Sequence, residues 1–409
     1  MDASLDEFKL FSPGVLTEPH EFWRQLRDKA PVHDMDEGIG YTILSRYEDV
    51  SAALRDPETF SSQLSRRFPA GMSAYEDSPA VKEVLADACP YHDVLTFVDG
   101  DVHDRHRRIA RRPFTSRHVA ELDDIIKATV ADLIAELPRG QEFDLVPEFS
   151  IKLPIIVIGY ILGVDPEHFG DVKLWADAQV KRLGEPLDDD EENLRYARDF
   201  VAQHQFLFSQ VKDRREHPGD DLLSDLVNSG EFSTDEELVL ISAQLIVAGA
   251  ETTASLITTM LNLLLDQPEL MQRLRAEPGR IGDFVEETLR WESPIKLVHR
   301  IATRDVEVGG RTIKKDSVVL LMIGAANRDD TFAAEAETFD LDRTDGRRHL
   351  AFVQGVHMCI GANLARAEAR MALEALLEST TRISRGTAPI HRRSSLTVRA
   401  LENLPLVIE

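Results

Sequence analysis

The feature that most constrains this chain is a run over residues 234–266 that is apolar on most sides. Ser233 and Thr234 stand before Glu236 and Glu237 at the spacing of a helix N-terminal capping box, and Gln267-Pro268 ends the run. At a rise of 1.5 Å per residue the helix measures about 50 Å, enough to cross the whole molecule. A helix apolar all round has to be buried, so the remaining chain is expected to pack around it. The longest uninterrupted apolar stretches, LPIIVIGYILGV and LIVAGA, are shorter than the roughly 20 residues a membrane span needs. They read as core.

Inside the run stands Ala248-Gly249-Ala250-Glu251-Thr252-Thr253. Glycine weakens a helix interior by about 1 kcal/mol relative to alanine. Glu251 puts a carboxylate among apolar residues, and Thr252 can bond back to the carbonyl four residues earlier and bend the helix. A local distortion where something small approaches the backbone is expected. A packing glycine beside a threonine that faces another helix would read the same way.

Around this run the pattern stays helical. Apolar residues recur at three- and four-residue spacing over 20–29, 47–55, 117–136, 191–215, 268–275, 281–292 and 362–379. Strand-like pieces at 31–34, 40–45, 305–308, 317–322 and 396–399 are short and scattered. A mainly α fold with small β-sheets is expected rather than alternating β-α units, with residues 1–409 forming a single domain. Lys plus Arg number 47 against 72 Asp plus Glu, a formal charge of −25. Such a surface repels phosphate backbones and anionic lipid, so no nucleic acid and no membrane is expected as a partner. Two cysteines, Cys89 and Cys359, make no disulfide framework, and the N-terminus lacks the features of a signal peptide. A cytoplasmic protein is expected.

Cys359 lies in Phe352-Val-Gln-Gly355-Val-His357-Met-Cys359-Ile-Gly361, a glycine-punctuated loop that runs into an apolar helix. Backbone N–H groups and the dipole at a helix N-terminus stabilise a thiolate. The glycines permit close approach of a flat ligand. One thiolate without Cys or His partners at metal spacing makes a poor zinc site but a suitable axial ligand to haem iron.

The segment resembles the haem-binding signature of the cytochrome P-450 monooxygenases, F-x-x-G-x-H/R-x-C-x-G, with Val353 where the family usually has glycine. Residues 248–253 look like that family's oxygen-activation motif. Glu287-Thr-Leu-Arg290 looks like its E-x-x-R motif, with Arg343 completing the network. His103-Asp-Arg-His-Arg107 looks like its helical H-x-x-x-R, while Asp99-Gly-Asp before it matches only in part. The resemblance implies the cytochrome P-450 fold, with haem b between the long central helix and the Cys359 loop. It implies Cys359 as the iron ligand and His103, Arg107, Arg300 and His357 as holders of the haem propionates. Gly249 and Phe352 are expected beside the cofactor, with Gly249 leaving room for O2.

The activity implied is insertion of one oxygen atom from O2 into a small-molecule substrate, with Glu251 relaying protons and Thr252 positioning oxygen. A haem-thiolate protein that only binds or senses would have no need of that pair. The 409 residues contain no flavin domain and no iron–sulfur cysteine set. Electrons are therefore expected from a separate ferredoxin, docked on Arg105, Arg108, Arg111 and Arg112 and extended by Arg366 and Arg370. Pocket walls are expected from loops near 61–98 and 170–205, whose sequences do not identify the substrate. Gln244, Ala248 and Thr252 are spaced by four and form one line on the helix. Gln244, Val247, Ala248, Lys296 and Leu297 are expected at the substrate; Lys296, a cation among apolar neighbours, needs a partner, which is a haem propionate, a pocket-loop carboxylate, solvent, or a polar or anionic substrate group held by Lys296, Gln244 or both.

Overall fold

The expected long helix spans Asp235–Asp266 and runs unbroken through the 248–253 segment. The computed structural model describes residues 8–37, 39–68, 78–184, 189–344 and 346–409. Parts of the expected pocket loops, 69–77 and 185–188, lie outside the described residues. Thr234 caps the central helix, its Oγ1 accepting from the Glu237 N–H at 3.3 Å, and the Glu237 carboxylate accepts from the Ser233 N–H at 2.6 Å. The helix is long and apolar enough to cross a membrane, but most of its apolar stretch is buried. It packs against the helices Lys152–Leu162, Phe169–Gly184, Asp190–Glu216, Ile281–Trp291 and Ala362–Ser379.

Helices form at His20–Lys29, Tyr47–Arg55, Asp190–Glu216, Pro268–Ala276, Ile281–Trp291 and Ala362–Ser379, where periodicity places them. The 117–136 pattern divides into Ser116–Glu121 and Asp123–Glu136. Leu122 closes the first piece on the His118 and Val119 carbonyls, and two aspartates suit the new N-terminus that follows. The Lys152–Leu162 helix escapes the pattern because nearly every side of it is buried, which erases periodicity. The Gly100–Ala110 helix carries the basic H-x-x-x-R segment.

A five-stranded sheet has the order Val32–Met35, Tyr41–Leu44, Val318–Leu321, Val298–Ala302, Phe60–Ser61. Its Tyr41–Leu44 and Val318–Leu321 strands are parallel, and the other pairs are antiparallel. Arg300 pairs with Val319 in this sheet, and Ser61 with Ile301. The expected strand at 396–399 is reduced to a single bridge, Val398 to Ile295. Ser395 Oγ accepts the Thr397 and Val398 N–H groups, taking donors a ladder would need.

Candidate active site

The central helix is buried along most of its length, yet Ala248 is exposed, and Gln244, Gly249 and Thr252 are half-buried. The line spaced by four is therefore the face that opens. Thr252 Oγ1 donates to the Ala248 carbonyl at 2.8 Å, the expected back-bond, without breaking the helix. Gly249 has a packing role in the fold. A Cβ there would meet Ile158 side-chain atoms from 3.2 Å, so its missing side chain lets the Lys152–Leu162 helix approach closely.

Glu251 sits beside the open line but is itself buried. Its Oε2 accepts from Arg393 Nη1 at 2.9 Å. Burial raises its pKa above the ordinary carboxylate value, Asp177 raises it further, and Arg393 opposes both. Nothing in the sequence signals Arg393, which lies 142 positions away.

The cysteine loop is built from both ends. The Cys359 N–H donates to the Phe352 carbonyl at 2.9 Å, and the Val353 N–H to the Leu350 carbonyl at 2.7 Å. Gly355 has φ +76°, and a Cβ there would come within 2.5 Å of the Leu54 carbonyl oxygen. Only glycine lets the loop lie on the end of the Tyr47–Arg55 helix. Val353 takes φ +51° with a branched side chain. Cys359 is exposed, and Ala362–Ser379 starts just beyond it. The dense protein around the loop raises the thiol pKa, while the Gly361 N–H, Arg107, Arg366 and the Ala362 N–H favour the thiolate.

Behind the loop the Arg366 guanidinium lies 4.4 Å from the Phe352 ring centre, a cation–π contact. Glu286 holds that arginine with two hydrogen bonds of 2.6 and 3.0 Å. Burial works against the Glu286 charge, but His349 and Arg366 hold its pKa down to about 2.

His103, Arg300 and His357 are all poorly exposed and gather near Asp99. The His103 and His357 ring centres are 4.3 Å apart, and His357 Nε2 lies 3.3 Å from Asp99 Oδ1. Asp99 also accepts from Ser61 Oγ and the Ser62 N–H. Burial pulls the Arg300 pKa down to about 10, with Asp99 opposing. Arg107 Nη2 donates to the Met358 carbonyl at 2.5 Å, which ties the basic helix to the cysteine loop. His103 Nδ1 lies 3.0 Å from Asp104 Oδ1, and burial lowers the His357 pKa although Asp99 opposes it. An exposed thiol with helix-end N–H groups, set near Arg107, Arg300 and two imidazoles that can donate hydrogen bonds, fits a haem with two propionates.

The E-x-x-R pair is a closed, buried network. Glu287 accepts from Arg290 Nε at 2.8 Å and Nη2 at 2.7 Å, from Arg343 Nε at 3.1 Å and from the Asp340 N–H at 2.9 Å. Arg290 spends its other donors on the Asn327, Ala336 and Thr338 carbonyls.

A family model described as Cytochrome P450 matches residues 187–387. The putative cytochrome P450 YjiB of Bacillus subtilis is 32% identical over 366 residues, 88% of this chain and 87% of that protein. Cytochrome P450 107B1 of Saccharopolyspora erythraea is 32% identical over 409 residues, covering 97% of this chain and 96% of its own. The chain belongs to the cytochrome P450 family. It is a haem-thiolate monooxygenase that binds haem b. Its fold matches that of cytochrome P450 CREJ, solved with (4-ethylphenyl) dihydrogen phosphate, at a TM-score of 0.91 and 30% identity, covering 99% of this P450 and 100% of that chain.

The expected substrate residues separate. Val247 joins Val180, Val398 and Ala400 in a small apolar cluster with Ile295 against it. Leu297 lies elsewhere, buried with Leu64, Phe68 and Leu396. Gln244 accepts the Thr96 N–H at 3.2 Å through Oε1. Lys296 is a correction: its ammonium is buried and donates to the Leu16 carbonyl at 2.7 Å and to the Ser395 carbonyl. Backbone oxygens satisfy the cation, so it is not offered to a substrate.

The arginine face is also less basic than its sequence. Arg108 pairs with Glu231 at 2.5 Å, Arg112 with Asp225 at 2.8 Å and Arg105 with Glu237 at 3.9 Å. Arg370 is held by Glu374 at 2.9 Å, and Arg366 by Glu286. Arg111 is exposed and pairs with no carboxylate among the described residues.

Proposed function

We propose that this P450 oxidises a small, largely apolar substrate carrying one polar group, using electrons from a separate ferredoxin. The open line Gln244–Ala248–Thr252 on an otherwise buried helix carries this reading. Haem b, bound through Cys359, supplies O2 activation and the oxidising power. His103, Arg107, Arg300 and His357 would hold its propionates, and Glu286 would steady the loop through Arg366 and Phe352. Thr252 Oγ1 holds a proton at the open face of the helix. Glu251, kept proton-retaining by burial, replenishes it.

Val180, Val247, Ile295 and Val398 offer an apolar wall, favouring a substrate placed mainly by shape. Because Gln244 Oε1 is taken by Thr96, its amide NH2 is the end left to donate to a substrate oxygen. CREJ was solved with an alkylphenyl phosphate, so 4-ethylphenyl phosphate and 4-ethylphenol are the first probes. Ferredoxin docking falls chiefly to Arg111, which pairs with no carboxylate among the described residues.

The test combines the enzyme with a ferredoxin, its reductase, NADH and 18O2. The expected result is a probe-dependent shift in haem absorbance and product carrying one labelled oxygen. Absence of shift and product across a broad panel of small alkyl aromatics would refute the substrate class.

A further inference from the structure

The turn that meets Gln244 is held from behind by a buried histidine. The Leu95 N–H donates to His106 Nδ1 at 3.3 Å. The next amide along, the Thr96 N–H, donates to Gln244 Oε1 at 3.2 Å. The Phe97 N–H closes the turn on the Val94 carbonyl at 2.9 Å. Leu95 has φ +40°, in the left-handed region that an apolar L-residue rarely enters. Such a backbone persists only where its surroundings hold it. Val94, Leu95 and His106 are buried, whereas Thr96 is exposed.

His106 stands between His103 and Arg107 on the Gly100–Ala110 helix but has no part in the H-x-x-x-R motif. A backbone N–H can only donate, so Nδ1 is an acceptor and the ring proton sits on Nε2. Nε2 makes no hydrogen bond among the described residues. Glu237 Oε1 is 3.9 Å from it, and the other Glu237 oxygen takes the Ser233 N–H at 2.6 Å. The Phe232 ring lies alongside, its centre 5.1 Å from that of His106. Burial lowers the His106 pKa; Glu237 opposes, and Arg105 and His103 add to the lowering. We infer that His106 is a positioning residue for substrate binding: by accepting from Leu95 it fixes the left-handed turn that sets Thr96 on Gln244 Oε1. The Gln244 amide NH2 is thereby the end presented to a polar group of the substrate. The inference rests on the reading of Gln244 as the polar end of the substrate site. Without the acceptor, Leu95 relaxes to an ordinary backbone conformation and the Thr96 N–H leaves Gln244. The amide then turns freely, and selectivity for substrates that carry an oxygen falls.

The test uses the haem-loaded protein and four variants: His106→Leu, His106→Gln, His106→Asn and Gln244→Leu. Leucine fills the space without an acceptor, the glutamine oxygen reaches about as far as Nε2, and the asparagine oxygen about as far as Nδ1. Hydrogen exchange, read by mass spectrometry on a peptide covering 94–97, reports the turn without any substrate. His106→Leu and His106→Gln should speed that exchange about three- to tenfold, the range expected for one lost hydrogen bond, and His106→Asn should restore it. Haem absorbance shifts give the affinities for 4-ethylphenol and for ethylbenzene, which lacks the oxygen. His106→Leu should weaken 4-ethylphenol about three- to tenfold more than ethylbenzene, with His106→Asn again close to the parent.

Unchanged exchange in His106→Leu would overturn the inference, as would an asparagine variant no better than leucine, since the shape of the ring and not its acceptor would then hold the turn. If Gln244→Leu left the preference for 4-ethylphenol over ethylbenzene unchanged, the reading of Gln244 would fail, while exchange would still judge the anchor on Leu95. If His106→Leu failed to load haem, the contrast between His106→Asn and His106→Gln would decide, and equal exchange in those two would count as refutation.

Discussion

Val353 occupies the left-handed region at φ +51°, in the loop that presents Cys359. For an L-residue this costs about 1–2 kcal/mol. Part of the cost is offset by packing, since the side chain lies partly buried on the cluster containing Val50 and Leu54. Half-burying a valine contributes about 1 kcal/mol, and glycine adds about 0.4–1 kcal/mol of unfolded-state entropy. Val353→Gly should therefore lie within about 1 kcal/mol of the parent, gain and loss nearly cancelling. The comparison with Val353→Ala isolates the backbone. Both variants lose the packing, but alanine keeps about 1–2 kcal/mol of strain and avoids only about 0.4–1 kcal/mol of entropy. Glycine should be the more stable of the two by about 0.5–1 kcal/mol, the reverse of their order in a helix interior. Urea denaturation of the haem-loaded proteins, followed by tryptophan fluorescence, gives the order. The reduced carbon monoxide band, retained in both, reports that the ligand loop is intact. An alanine variant more stable than the glycine variant would refute the strain.

Cys359→His should abolish the red-shifted band of the reduced carbon monoxide complex, and survival of the band would remove Cys359 as the iron ligand. Thr252→Ala should consume NADH at a rate near that of the parent while releasing hydrogen peroxide in place of product; full coupling would sink its role. Arg111→Glu should raise the apparent Michaelis constant for ferredoxin several-fold at low ionic strength and leave the substrate-induced absorbance shift alone, the effect fading with added salt. Arg112→Glu is a poorer probe, because it also breaks the Asp225 pair. Glu286 has a folded pKa near 2 against an ordinary 4.5. Its depressed pKa contributes stability above pH 4.5 that is lost as pH falls toward 2, on the order of 3 kcal/mol in all. Glu286→Gln should flatten this acid limb of stability measured by urea unfolding; an unchanged limb would place the acid sensitivity elsewhere.

Local signals carried the long central helix, its cap, the open line on its face and the cysteine loop. The capping residues at 233–237 and the four-residue spacing of 244, 248 and 252 are short-range patterns, and helical geometry alone turns them into structure. The Lys152–Leu162 helix was visible only as an apolar block, since burial on nearly all sides leaves no periodicity to read. Partners far apart in sequence were not legible at all. Arg393 reaches Glu251 only because the C-terminal segment folds back, and the carboxylates that neutralise Arg108 and Arg112 come from residues more than one hundred positions away.

Lys296 and Arg300 show why a buried cation has to be judged by the oxygens around it. Both lie in an apolar stretch four residues apart, and sequence alone gives each the same claim on an anionic ligand. The Lys296 ammonium meets two backbone carbonyls, neutral acceptors in fixed positions, which satisfy it without any ligand. Arg300 has its own neighbour's carbonyl at 2.7 Å and shares Asp99 with His357. Its guanidinium has five donors, so a carbonyl and a shared carboxylate leave capacity for further anionic oxygens. The sheet holds Arg300 opposite Val319, and its charge is felt at His357. What separates a ligand-binding cation from a structural one here is the acceptor count within reach, a property set by the fold rather than by the residue.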